Sequence, residues 1–414
     1  MAEMAKNTLS SFEDAEKKVF NAAADYSALV EYCPLNEVYE RVLGKNLLAD
    51  DDQPLADNSA MDGYCFRRVD AELRQKNGLI DFPVEARILA GHPVNELSPG
   101  FAAYIATGGI IPSGVDCIVK IEDAIVSSDK KTIQIKSLPK PGTYIRRRGR
   151  DLNAGDCVLP IGEKITPFIV GIIASMGFSA VPVFRKPLVA IMTSGDEVVM
   201  PFQKPEPWQV RNSNSATLFA QVQEAGGKPI DFGIMKDDQR FAERAINEVL
   251  EYSDLLVTSG GVSLGEKDPF IAAFESLGVQ KVVHGVSIKP GKPFFFGLFK
   301  GKPIFGLPGN QASCAVTFEL FVRPFLQRIL KCSKPDRITV SLKTSKEIKN
   351  DSGRTSFVRG KITVAANGEM QTEFFSKQDS HLLSSFSGTQ SLSIIPADLK
   401  EVSSLQSLKT RLLL

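Results

Sequence analysis

Apolar positions change their period along the chain, and the changes predict its elements. Near the start, Ser10-Ser11-Phe12-Glu13 has the form of a capping box, a hydroxyl followed three residues on by a carboxylate, and the residues after it predict a helix to about Tyr26. A second short helix is predicted around Leu35 to Leu48, ahead of the acidic, proline-containing break Asp50-Asp51-Asp52-Gln53-Pro54. From there to about Pro141 the apolar runs are short and interrupted by Gly, Pro and Asn, as at 84–89 and 117–121, which predicts strands. Helix-like sequence resumes at Pro167 to Met176, so the β-rich stretch reads as a module inserted into a helical scaffold.

From about Lys186 to Cys332, apolar runs at 188–192, 230–234, 255–257, 282–283 and 304–307 alternate with helical patterns at 215–224, 241–252, 270–277 and 312–330. Continuous apolar strands between helices predict a buried, largely parallel sheet covered on both faces, a doubly wound α/β domain. After Lys334-Pro335 the pattern alternates strictly, as at 338–342, and Asn367-Gly368 supplies a hairpin turn. The expected architecture is multidomain: a discontinuous scaffold (1–50 and 141–185), an inserted β-rich module (51–140), the α/β domain (186–332) and a small C-terminal β domain, sandwich or barrel (335–414).

Composition narrows the partners. The 49 Lys+Arg against 48 Asp+Glu leave a net charge of +1, without the broad basic excess that a nucleic-acid backbone or anionic membrane favours. No run approaches the ~18–20 apolar residues of a membrane span, and no apolar leader is seen, so a cytoplasmic location is expected. The six cysteines never fall in C-x-x-C spacing and there are three histidines, which speaks against a dedicated zinc site.

In an open α/β sheet, ligands bind beyond the carboxyl ends of the strands. The first strand ends in Thr193-Ser194-Gly195-Asp196-Glu197, and the third in Ser259-Gly260-Gly261-Val262-Ser263-Leu264-Gly265-Glu266-Lys267-Asp268. Glycines let backbone N–H groups approach an anion, and a helix start adds partial positive charge. Leu307-Pro308-Gly309-Asn310 opens another helix, and Lys289-Pro290-Gly291-Lys292-Pro293 presents two lysines in a stiff loop suited to phosphate. Tight turns are common in α/β loops for purely structural reasons, but three in one domain favour a ligand. Asp196, Glu197, Asp237, Asp238, Glu266 and Asp268 are oxygen donors of the kind Mg²⁺ takes. Asp238 and Asp268 also precede helices: capping is the expectation for Asp238, while capping and metal binding are compatible at Asp268. Arg146-Arg147-Arg148-Gly149-Arg150-Asp151 is a dense basic cluster that calls for an anion or acidic partner. These residues alone lead as far as a phosphate-handling α/β enzyme.

Together with Asp57 to Tyr64, Thr107 to Pro112 and Ser380-His381, these segments occur in the order seen in the molybdopterin molybdenumtransferase family, MoeA and the C-terminal catalytic domain of gephyrin, and the chain resembles that family over nearly its whole length. The resemblance implies an elongated homodimer and a reaction in which molybdate and adenylated molybdopterin are substrates, the pyrophosphate link is cleaved with Mg²⁺, AMP leaves, and molybdenum stays on the dithiolene sulfurs. It implies catalytic roles for Asp62, Thr107, Glu197, Asp237, Asp268 and Lys289, with Asp62 and Thr107 reaching in from the partner subunit, and Mg²⁺ held by Glu197, Asp237 and Asp268. Substrate-binding positions are Ser194, Gly195, Asp196, Ser259, Gly260, Gly261, Ser263, Gly265, Lys292, Pro308, Gly309, Asn310, Arg146, Asp151, Arg354 and Ser380. Implied protein partners are the adenylyltransferase that makes the substrate and the molybdoenzymes that receive the product. The chain departs from the family pattern at Arg150, commonly Glu, and at Gln311, usually proline. A lone adenylyltransferase is the rival enzyme, disfavoured by the flanking domains, and a non-catalytic scaffold is disfavoured by the intact acidic set.

Overall fold

The first helix, α1 (Phe12–Ala24), buries Phe12, Ala15, Val19 and Ala23, one stripe at helical spacing. Its cap lies one residue later than the sequence predicts: Ser11 Oγ accepts from Asp14 N–H at 3.1 Å, so Ser11 is the N-cap. The computed structural model describes residues 9–76, 78–262 and 268–413. The chain folds into two compact units, one formed by 1–44, 162–170 and 179–414, the other by 45–161 and 171–178.

The helix predicted around 35–48 is absent. Only a single 3-10 turn forms at Leu35–Glu37; Glu40 then takes a left-handed φ of 64°, and Val42 and Leu43 form bridges to Lys164 and Val183. Strand pairing of β-branched and leucine residues has won over their helical spacing. Val30–Pro34 likewise pairs antiparallel with Ala180–Phe184.

The α/β sheet comprises β1 (Leu188–Ser194), β2 (Lys228–Met235), β3 (Leu255–Ser259), β4 (Gln280–His284), β5 (Phe295–Phe299) and β6 (Lys302–Leu307), in the order β2-β1-β3-β6-β5-β4. The pairs β2-β1, β1-β3 and β3-β6 are parallel, while β5 and β4 are antiparallel additions. Of these strands, β5 is the one that the apolar pattern does not predict. Alternate residues of β1 face opposite cores: Val189 and Ile191 pack with α1 and α2 (Ser213–Glu224), Ala190 and Met192 with α3 (Gln239–Tyr252) and α4 (Pro269–Ser276). Because β1 lies between β2 and β3, the chain reverses its winding direction at the β1/β3 boundary. The helix predicted at 312–330 is interrupted: α5 (Gln311–Thr317) passes into a π-turn at Phe318–Val322 before Arg323–Ile329 resumes α geometry. Pro324 lacks the N–H that would continue the ladder, and the widened turn before it accommodates that loss.

The C-terminal strands β7 (Thr339–Thr344), β8 (Thr355–Val364), β9 (Met370–Phe374), β10 (Ser391–Ile395) and β11 (Ser407–Leu412) close into a five-stranded barrel in the order β8-β9-β7-β11-β10, with β10 returning to β8. Closure removes the exposed edges.

The second unit is built on a seven-stranded sheet containing Gly63–Phe66, Leu79–Ile88, Ala102–Ile105, Cys117–Lys120, Ala124–Val126 and Thr132–Ile135, with Gln75–Lys76 paired at its side. In Gly63–Phe66 the pleat sends Tyr64 and Phe66 into one core and Cys65 into another. The expected β character holds here, with one short helix, Arg68–Arg74, in addition. No helix among the described residues is long and apolar enough to cross a membrane.

Candidate functional site

At the carboxyl ends of β1, β3 and β6, a cavity of about 710 Å³ opens at the reversal point of the sheet. Its walls bring together Ser194, Gly195, Glu197, Asp237, Ser259, Gly260, Gly261, Asp268, Pro308, Gly309 and Asn310, eleven of the positions named from sequence. Gly260 and Gly261 take φ of 81° and 67°, conformations that side chains rarely adopt. A Cβ on Gly260 would stand 2.7 Å from the Ser194 carbonyl oxygen, so the two strand ends approach closely only because Gly260 carries no side chain.

Asn212, Ser213 and Asn214 complete the wall at the start of α2. Asn212 caps the helix, its Oδ1 accepting from Ser215 N–H at 3.1 Å. The Asn214 amide, nearly buried, donates to Ser259 Oγ and to the Gly309 carbonyl, both at 2.7 Å, and so fastens the ends of β3 and β6 to one another. Strand-end motifs do not reveal these residues; the signal that finds them is the polar run Asn212-Ser213-Asn214-Ser215 ahead of an apolar helix. Val198, Val210, Arg211, Gln311 and His381 also line the cavity.

Glu197 and Asp237 stand near Asp196, whose Oδ1 accepts from Asp237 N–H at 3.4 Å. Burial, then the neighbouring Asp196 and Glu197 charges, holds the Asp237 carboxyl above the ordinary aspartate range. Asp238, by contrast, caps α3 by accepting from Phe241 N–H at 2.7 Å.

Other predicted positions lie elsewhere. Lys289 is exposed and pairs with Ser356 of β8, and Arg354 donates to the Ile288 carbonyl at 2.9 Å; neither lysine of the 289–293 loop is among the cavity walls, although Pro293 is. Ser380 reaches the wall indirectly, its Oγ accepting from Asn310 at 3.2 Å. Ser263, Gly265 and Glu266 lie outside the described residues.

The second unit joins Asp62 to Thr107: Asp62 Oδ1 accepts from Thr107 N–H at 2.7 Å and from its hydroxyl at 2.8 Å, which holds the carboxyl below the usual aspartate range. Two of the four arginines in the basic cluster are paired within their own loops, Arg147 with Asp57 and Arg148 with Asp52, each at 2.5 Å. Arg146 pairs as a strand residue with Asn58 and is exposed, and Asp151 donates its N–H to the Gln53 carbonyl at 2.9 Å.

Comparison with known proteins places this arrangement. Residues 10–177 match the MoeA N-terminal region (domain I and II), 190–328 a probable molybdopterin binding domain, and 341–404 the MoeA C-terminal region (domain IV). The chain belongs to the MoeA family. It is 34% identical over 360 residues to the Haemophilus influenzae protein named molybdopterin molybdenumtransferase, covering 86% of this chain and 87% of that protein. A Bacillus subtilis protein of the same name is 33% identical over 335 residues, with 80% and 78% covered. The crystal structure of a molybdopterin biosynthesis MoeA protein from Pyrococcus horikoshii superposes with a TM-score of 0.83 at 25% identity, covering 98% of this chain and all of that one. The MoeA fold and its enzyme class, a transferase of molybdenum cofactor biosynthesis, therefore apply to this chain.

Proposed function

We propose that the chain transfers molybdenum from molybdate to the dithiolene of adenylated molybdopterin, cleaving the pyrophosphate link and releasing AMP. The observation that carries this reading is the cavity at the reversal point of the sheet, lined by glycine turns, the starts of α2, α4 and α5, and the carboxylates Glu197, Asp237 and Asp268. With the Gly260 N–H donating to the Leu307 carbonyl, the Gly261 N–H and those at the helix starts bind phosphate and molybdate oxygens. Thr193, Ser194 and Ser259 add hydroxyls, and Arg211 a fixed positive charge. Lys289 and Lys292 neutralise the pterin phosphate from the barrel side, where Arg354 and Ser380 also act.

The donor set fits Mg²⁺. Among the described residues, no three Asp, Glu, His or Cys side chains cluster tightly enough to cage a metal by themselves. Yet Glu197, Asp237 and Asp268 line one cavity, and Asp237 is held up by burial and then by the neighbouring Asp196 and Glu197 charges. Mg²⁺ usually takes one or two carboxylates and fills its remaining positions with water and substrate phosphate. Glu197, Asp237 and Asp268 would hold it. When bound, the ion neutralises charge that develops on the pyrophosphate. Glu197 and Asp237 orient the pyrophosphate, and Asp268 presents its carboxylate from the entry to α4. Asp62, fixed by Thr107, acts in the site of the partner subunit, so the working form is a homodimer in the cytoplasm. The four-domain division at 1–50 with 141–185, 51–140, 186–332 and 335–414 belongs to the same proposal, as do the supplying adenylyltransferase and recipient molybdoenzymes as partners.

The test incubates purified protein with adenylated molybdopterin, molybdate and Mg²⁺. AMP release together with a product that activates an apo-molybdoenzyme supports the reading; absence of both sinks it.

A further inference from the structure

The barrel contributes to the cavity through one segment, 378–386. Its middle is tied to the α/β domain: Ala312 N–H donates to the Ser380 carbonyl at 2.9 Å, Asn310 donates to Ser380 Oγ at 3.2 Å, and His381 lines the cavity. Its root is tied to Arg359 of β8. The Arg359 N–H donates to Gln378 Oε1 at 3.1 Å, and Gln378 Nε2 donates back to the Arg359 carbonyl at 2.8 Å and to the Phe375 carbonyl at 3.0 Å. The guanidinium donates through Nη2 to the Asp379 carbonyl at 3.2 Å and lies 5.3 Å from the centre of the Phe386 ring. Arg359 thus holds both ends of the segment that delivers Ser380 and His381.

This guanidinium is a poor choice for stability. It is fully buried, its Nε and Nη1 meet no acceptor among the described residues, and burial pushes its pKa down to about 10. A buried charge with few partners costs desolvation that an apolar side chain of similar size avoids. What Arg359 contributes in return is the geometry of the segment.

We propose that Arg359, together with Gln378, is a positioning residue that clamps 378–386 so that Ser380 and His381 stand at the cavity wall, and that it sets substrate affinity without touching substrate. The affinity part rests on the transferase reading; the clamp does not.

The experiment uses the full chain with Arg359→Lys, Arg359→Met and Gln378→Ala, the last leaving the buried charge in place. In hydrogen exchange without ligand, amides of 377–387 should exchange at least about tenfold faster in Arg359→Met and Gln378→Ala, with β11 and, apart from the Arg359 amide that donates to Gln378, β8 unchanged. With adenylated molybdopterin, KM should rise about tenfold while kcat stays within roughly twofold, and Arg359→Lys should recover part of both effects. Unchanged exchange of 377–387 in all three variants overturns the proposal. So does protection lost evenly through the barrel with Arg359→Lys no better than Arg359→Met, since Arg359 is then only structural. If exchange changes as expected but the unaltered protein releases no AMP, the clamp is supported and the transferase reading fails.

Discussion

Asp268 stands where the backbone enters α4 and where the cavity wall carries a carboxylate, and the two demands respond differently to Asp268→Asn. Asp268 makes no side-chain cap hydrogen bond to α4 and Asn matches it in size, so the thermal midpoint should stay within about 2 °C of the unaltered protein. AMP release should fall by roughly 30- to 100-fold, the scale of losing a charged contact worth about 2–3 kcal/mol. A collapsed thermal midpoint would instead make Asp268 structural. Gly260→Ala should act in the opposite sense, destabilising by at least about 1–2 kcal/mol for the left-handed backbone alone, read as a lower urea midpoint. Both residues are legible from sequence because glycines and carboxylates at strand ends announce themselves by type. Asn214 is not: its value lies in two hydrogen bonds to residues 45 and 95 positions away, which no local pattern encodes.

At the scale of elements, that amide links the start of α2 to the ends of β3 and β6. Asn214→Ala leaves the Gly309 carbonyl without its amide donor and the Ser259 hydroxyl with only the weaker Cys314 thiol donor, and should cost about 1–3 kcal/mol of stability, measurable by chemical denaturation. The edge strand β4 carries a pH-sensitive element. His284 is half-buried against Phe295, and burial, then the nearby Lys281 charge, lowers its pKa from the ordinary 6.5. Between that value and the lowered one the unfolded chain binds the proton more readily, so this contribution to stability is complete above pH 6.5 and is lost as pH falls through the folded value. Urea midpoints taken from about pH 8 to about pH 5 should therefore fall less steeply for His284→Gln than for the unaltered protein. Element type is readable wherever the period is long, as in α1 and α3. It fails at 35–48, where helical spacing is overridden by bridges to Lys164 and Val183, and at β5, whose phenylalanines give no sign of an antiparallel addition.

For the whole molecule, the proposed dimer predicts complementation. If Asp62 serves the partner's cavity, a one-to-one mixture of inactive Asp62→Ala and Glu197→Gln subunits, refolded together, should recover about a quarter of full activity, because half the dimers are mixed and each then has one intact site. No recovery would place Asp62 and Glu197 in the same subunit's site. The near-zero charge sum acquires a meaning at this scale too: Arg147 and Arg148 are cancelled by Asp57 and Asp52 within their own loops. The sequence by itself determined the fold class, the succession of β-rich, α/β and C-terminal β segments, and the residue types at the strand ends, because period and turn chemistry are local properties. Only the tertiary structure decided which of those residues share a wall, that Asp62 is fixed by Thr107, and that a buried Arg359 holds the segment bearing Ser380 and His381. Those relations depend on sheet order and on contacts between residues far apart in the chain, and burial gives them their energies.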